Sequence, residues 1–213
     1  MKLDPLLIEK ESFRLIDEAL REEGIFLPEK IYPLIRRAIH ATGDLSLAGD
    51  FVFHPQAVEA GISALKKGAS LVCDVKMVAA GINRSLLKQL GGEIYCFIDD
   101  PEVISEARKR GLTRAYVAME KGLLLPGEKI IVVGNAPTAL LPVLKVMEEG
   151  RAPALVIGVP VGFVGAAEYK ALLARQKTPF ITLKGPRGGS SVAVALVNAL
   201  LRLASEDETA APL

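Results

Sequence analysis

The chain has 213 residues, half of them hydrophobic, a net charge of +1 and an aromatic content of only 5%. That length and apolar share suit one α/β domain with a large core. The near-neutral balance excludes a global field aimed at nucleic acid or a membrane surface, and so few aromatics, with no tryptophan, leave little for base stacking.

Residues 5–23 carry apolar positions at helical spacing (Leu7, Ile8, Leu15, Ile16, Ala19, Leu20), and Gly24 stops them. Charges run throughout this stretch, so it reads as no signal core, and a cytoplasmic protein is expected. Pro28 opens a second helix to His40, with Gly43 as a left-handed cap. An imidazole in that last turn reads as a helix-end cap or as a candidate proton donor. Residues 41–54 read as an irregular loop with room for a short strand at Phe51-Val52-Phe53.

From Pro55 the pattern alternates. Helices are expected at 55–67, 77–90, 101–110, 113–121, 136–149, 165–175 and 190–204, and strands at 70–75, 94–98, 129–133, 154–157 and 180–183. The two cysteines, Cys73 and Cys96, fall inside expected strands and read as buried apolar groups. No apolar run is long enough to span a membrane. Residues 205–213 read as a frayed tail. The expected architecture is α/β, a mostly parallel sheet of about five strands with helices on both faces. It forms one domain over 1–213, with the helices and loop of 1–54 packed on it.

Ligands of such sheets sit beyond the carboxyl ends of the strands. The site loops are therefore Asp74-Val75-Lys76, Asp99-Asp100, Gly134-Asn135-Ala136-Pro137-Thr138, residues 158–162 and residues 184–189. Asn135 can cap a helix whose first turn holds Pro137, and exposed amides there suit carboxylate or phosphate. The loop from Lys184 to Ser191 repeats that design with two cations. Residues 158–165 follow a strand but lack the G-x-G-x-x-G spacing and a later acidic residue, and no Walker loop occurs. His40 and His54 show no metal-ligand spacing, and no Gly-x-Ser-x-Gly elbow exists. Gly81 inside an expected helix points to close packing.

Taken together, the motifs Arg37-Ala38-Ile39-His40-Ala41-Thr42-Gly43-Asp44, Asp74-Val75-Lys76-Met77-Val78-Ala79-Ala80-Gly81-Ile82 with Arg84, Thr113-Arg114, Gly134-Asn135-Ala136-Pro137-Thr138-Ala139-Leu140, Pro160-Val161-Gly162-Phe163-Val164-Gly165-Ala166-Ala167-Glu168 and Gly185-Pro186-Arg187-Gly188-Gly189-Ser190 resemble the precorrin-8X methylmutase family. The likeness runs from Ser12 to about Leu203. It implies an isomerase of cobalamin biosynthesis that moves a methyl group from carbon 11 to carbon 12 of a tetrapyrrole macrocycle, giving hydrogenobyrinate, or cobyrinate where cobalt is present. It further implies an acid matching His40, a homodimer with sites near the interface, and no separate cofactor.

Such a shift needs one proton donor and a shaped apolar slot, not a nucleophile, hydride carrier or metal. The acetate and propionate arms of the substrate suit cations and amide-rich turns. Beside His40, the candidate substrate contacts are Ser12, Asp74, Lys76, Met77, Gly81, Arg84, Arg114, Asn135, Thr138, Gly162, Lys184, Arg187 and Ser190. Arg36 also suits an arm, whereas Arg37 and Arg175 read as solvated charges. A non-catalytic corrinoid carrier and a small-molecule oxidoreductase are the competing functions.

Overall fold

Strands rich in Val, Ile and Leu on every position need cover on both faces, and the chain supplies it. The structure, a computed structural model, describes residues 4–205, so all but the first residue of the expected tail lies outside the described residues. Six strands form one sheet: β1 (Phe51–Phe53), β2 (Ser70–Cys73), β3 (Ile94–Tyr95), β4 (Lys129–Val133), β5 (Leu155–Gly158) and β6 (Phe180–Leu183). Their order is β1-β6-β5-β4-β2-β3. β2 to β6 are parallel, and β1 lies antiparallel on β6 with Phe51 opposite Leu183. The parallel sheet with helices on both faces is as expected, and the sixth strand is the short one the 41–54 loop had room for.

Side chains alternate along each strand between two cores. Leu71, Cys73, Ile130, Val132, Leu155, Ile157, Ile181 and Leu183 face one cluster, and Val72, Ile131, Val133, Val156 and Phe180 the other. The first cluster is closed by α2 (Tyr32–Thr42), α3 (Ala57–Lys66) and α10 (Ser190–Ser205), with α2 packed along α10. The second is closed by α7 (Arg114–Leu123), α8 (Leu140–Glu148) and α9 (Ala166–Leu173). Helix α1 (Pro5–Glu22) packs on α2, and a smaller core of Leu20, Ile35, Ile39 and Ala48 ties the N-terminal segment down. Between α7 and β3, α6 (Pro101–Arg110) starts on an Asp100 cap and ends on Gly111. No helix among the described residues is long and apolar enough to cross a membrane.

Several boundaries differ from those the sequence suggests. The helix expected at 77–90 is two short ones, α4 (Lys76–Gly81) and α5 (Arg84–Gln89). Ile82 is extended, and the Asn83 side chain accepts from Leu86 N to start the second. Gly81 packs closely on α10, since a Cβ there would lie 2.8 Å from the methyls of Val194. The stretch 136–149 opens with a 3-10 turn (Pro137–Ala139) before α8. Its N-cap is Ala136, with no side-chain cap bond, so Asn135 does not cap it. Cys96 also falls just past β3 rather than within a strand.

Candidate active site

The strand order places β3 outside β2, while β4, β5 and β6 run to the other side. The chain therefore reverses between β2 and β4, and their carboxyl ends open a crevice there. Asp74, the residue after β2, is fully buried in it. Its carboxylate accepts N–H groups from Gly134 (3.1 Å), Asn135 (2.8 Å) and Ala136 (2.7 Å). Burial pushes this carboxyl up from its ordinary value, against the pull of those backbone bonds. The expected roles of both partners change as a result. Asp74 cannot reach a substrate with its side chain, and the amides of the 134–136 turn are occupied rather than open to an anion. Asp74 instead ties the two loops of the crevice together.

On the β2/β3 side the cations remain reachable. Exposed Lys76 pairs with Asp99, whose other oxygen is 3.7 Å from Arg114. The Lys76 contact holds the Asp99 carboxyl below its usual range. Arg114 opens α7 and also lines a groove of about 470 Å³ with Ile104, Arg108 and Leu112. The hydroxyls of Thr113 and Thr138 meet at 2.7 Å, which joins the start of α7 to the turn after β4. Met77, next to Lys76 in the first turn of α4, is 72% exposed.

On the β1/β6 side stands His40, exposed in the last turn of α2. Gly43 caps that turn with φ 68°, its N–H donating to Ile39 O, a left-handed conformation glycine adopts without a Cβ clash. The imidazole meets the Phe13 ring edge-on at 5.3 Å between centroids. The same ring is covered by the guanidinium groups of Arg36 at 4.4 Å and Arg37 at 5.3 Å. Arg36 is paired with Asp17, so it is not a free docking cation. Arg37, expected as a solvated charge, is instead half-buried and paired with Glu9. Burial pulls its guanidinium down, with nearby Arg202 adding to that and the Glu9 bond opposing it. Ser12, next to Phe13, donates its hydroxyl to Ile8 O at 2.9 Å, a bond within its own helix.

Beyond His40, residues 44–50 turn toward β1 and meet Arg187. Its guanidinium bonds the Asp44 carboxylate at 2.9 Å, the Ser46 hydroxyl at 2.6 Å and the Asp50 carboxylate. The expected arm-binding role of Arg187 thus meets a side chain already engaged within the chain. Lys170 was not singled out from the sequence. It is buried at 1% exposure under this loop, and its Nζ donates to Arg187 O. A readable signal existed: Ala166, Lys170 and Leu173 share the buried face of α9.

The remaining candidates divide. Asn135 and Lys184 are exposed at the sheet edge, and Arg84 is exposed at the start of α5. Gly162 donates its N–H to Pro186 O, and Ser190 is buried at the start of α10 against Gly134. Gly81 packs on Val194. Burial pushes the thiols of Cys73 and Cys96 up, which disfavours the nucleophilic thiolate. Among the described residues, no group of three or more His, Cys, Asp or Glu side chains is placed to hold a metal.

Comparison with known proteins agrees with the motif resemblance. A family model described as precorrin-8X methylmutase matches residues 7–203. A cobalt-precorrin-8 methylmutase of Priestia megaterium is 43% identical over 98% of this chain and 92% of its own. A precorrin-8X methylmutase of Pseudomonas aeruginosa is 40% identical over 92% of this chain and 95% of its own. A precorrin-8X methylmutase crystal structure from Thermus thermophilus superposes with a TM-score of 0.81 at 39% identity, covering 93% of this chain and 97% of that one.

Proposed function

The chain belongs to the precorrin-8X methylmutase family, an isomerase family of cobalamin biosynthesis, and on that footing we propose that it moves the methyl group from carbon 11 to carbon 12 of the macrocycle with His40 as the acid. The product is hydrogenobyrinate, or cobyrinate when cobalt is present. The observation that carries the reading is the placement of His40. It is exposed, steadied by Phe13, and stands at a helix end tied to the sheet edge.

The shift is sigmatropic, so bond making and breaking stay within the macrocycle. The protein supplies a proton to the ring system and a geometry in which the migrating methyl faces carbon 12. A positioned acid contributes roughly 10²–10⁴-fold. Holding the ring in a shift-ready shape contributes the rest.

Between β6, whose loop Arg187 joins to the segment after His40, and β2, which leads to Lys76, lie three strand spacings of about 4.8 Å, roughly 14 Å in all. A macrocycle laid over the carboxyl edge would have its reacting carbons toward His40 and its arms toward Lys76 and Arg114. Exposed apolar side chains, Met77, Val161, Phe163 and Val164, would cover its faces.

The working unit is a homodimer. Leu7, Ile8 and Leu15 are about half exposed on one stripe of α1, and Phe163 and Val164 are 94% and 90% exposed. Apolar surface of this kind is usual at contacts between copies.

The test is incubation with metal-free precorrin-8X and, separately, with its cobalt form, following the visible spectrum. Appearance of the corrin chromophore supports the methylmutase. Tight binding without conversion of either substrate supports a carrier.

A further inference from the structure

We propose that Arg187 and Lys170 are positioning residues that fix the His40-bearing end of α2 on the sheet edge, and that Arg187 does not dock a substrate arm. The proposal rests on the reading of His40 as the acid.

The geometry forms a continuous latch. Lys170 Nζ, buried beneath the loop, donates to the carbonyl oxygen of Arg187. Among the described residues no carboxylate forms an ion pair with Lys170, so the carbonyl is what its buried ammonium serves. A buried cation costs desolvation, and a methionine would fill the same space without that cost. The backbone on either side is clamped. Gly189 N donates to Val159 O at 2.8 Å and Gly162 N to Pro186 O at 3.0 Å. At Gly188, with φ 147°, a Cβ would lie 2.2 Å from Val159 O, so only glycine allows the approach.

From this fixed loop the Arg187 guanidinium reaches across to residues 44–50. One nitrogen bonds Asp44 and the Ser46 hydroxyl, and the other bonds Asp50 and the Ser46 carbonyl. Asp44 N in turn donates to Thr42 Oγ1 at 3.3 Å, and Thr42 Oγ1 donates to Ala38 O at 2.9 Å. His40 lies between Ala38 and Thr42. Both terminal nitrogens of Arg187 are thus engaged within the chain, on the segment that follows His40. An arm carboxylate would have to displace two carboxylates to use it.

The two roles differ in what they do to binding and to turnover. Arg187→Gln is expected to lower kcat on the order of 10²-fold, the scale of a small misplacement of a reacting group. The Kd for the macrocycle, read from its spectrum on titration, is expected to shift by less than about threefold. Lys170→Met is expected to give the same split with a smaller loss. Because Arg187 acts through His40, the double variant His40→Ala/Arg187→Gln is expected to turn over no more slowly than His40→Ala alone.

A Kd weakened about tenfold or more with kcat retained would assign Arg187 to an arm and overturn the proposal. So would losses that multiply in the double variant. Normal turnover by His40→Ala would remove the acid itself, and the latch with it; the latch alone fails when His40→Ala is inactive but Arg187→Gln keeps its kcat. Should Arg187→Gln not fold, Asp44→Asn removes the other end of the same contact at a solvent-facing site and is read in the same way.

Discussion

The imidazole of His40 stands edge-on to the ring of Phe13, 5.3 Å between centroids, and α1 thereby sets the orientation of a side chain on α2. Edge-to-face pairs contribute about 0.5–1.5 kcal/mol beyond their buried area. Phe13 also lies under the guanidinium groups of Arg36 and Arg37. Phe13→Ala is expected to lower kcat about tenfold, since misorientation by a fraction of an ångström is enough. Steady-state turnover of the variant measures it, and retention of full kcat would show that α1 does not orient the acid.

Asp74 is expected to matter for stability rather than for binding. Asp74→Asn replaces one acceptor oxygen by a donor that faces backbone N–H groups. Leaving a buried donor unsatisfied costs about 1–3 kcal/mol. For a chain of this size that is a fall in Tm of roughly 3–10 °C. Calorimetry of the variant reads it directly, and an unchanged Tm would contradict the assignment.

Lys76 and Arg114 are the reachable cations of the crevice, and both engage Asp99. On the proposed placement of the macrocycle, an arm carboxylate would compete with Asp99 for them. Arg114→Ala is expected to weaken macrocycle binding by about tenfold, the scale of one charge-assisted bond. Asp99→Asn is expected to tighten it, because the competitor is gone. Spectral titration gives both values, and weakening in the Asp99 variant would make Asp99 a positioning group for the cations instead.

The ammonium of Lys170 is pulled down by burial to about 8, with Asp50 opposing the shift. In the unfolded chain the group keeps its proton to its ordinary value of 10.5. Between those pH values the unfolded state binds more protons, so this group makes folding more favourable as pH rises from about 8 to 10.5. Its contribution is fully present above that window and lost as pH falls through 8. Urea midpoints across the window are expected to rise more steeply for the natural chain than for Lys170→Met. Parallel slopes would show that Lys170 stays charged when buried.

Much of this was legible in the sequence because it is local. Strands of unbroken Val, Ile and Leu announced a sheet covered on both faces, and Gly43 after a helical pattern announced the cap that His40 precedes. What was illegible depends on pairs far apart in the chain. The amides after β4 looked open until Asp74, some 60 residues earlier, was placed beneath them. Arg187 looked like a docking cation until the neighbouring β1 brought Asp44 and Asp50 to it across more than 130 residues. Position 81 requires glycine because Val194 comes too close for a side chain there, and only the packing of α10 determines that. The Asn83 cap was readable, since an asparagine followed by Arg84 and a leucine-rich turn is an ordinary helix start.

The role of His40 is tested by comparing His40→Ala with the natural chain, following macrocycle binding and conversion in the same spectrophotometric titration. The variant is expected to bind the macrocycle within about threefold of the natural Kd, and to lose turnover by roughly 10²–10⁴-fold, the contribution of one positioned acid. Conversion at the natural rate by His40→Ala would contradict it.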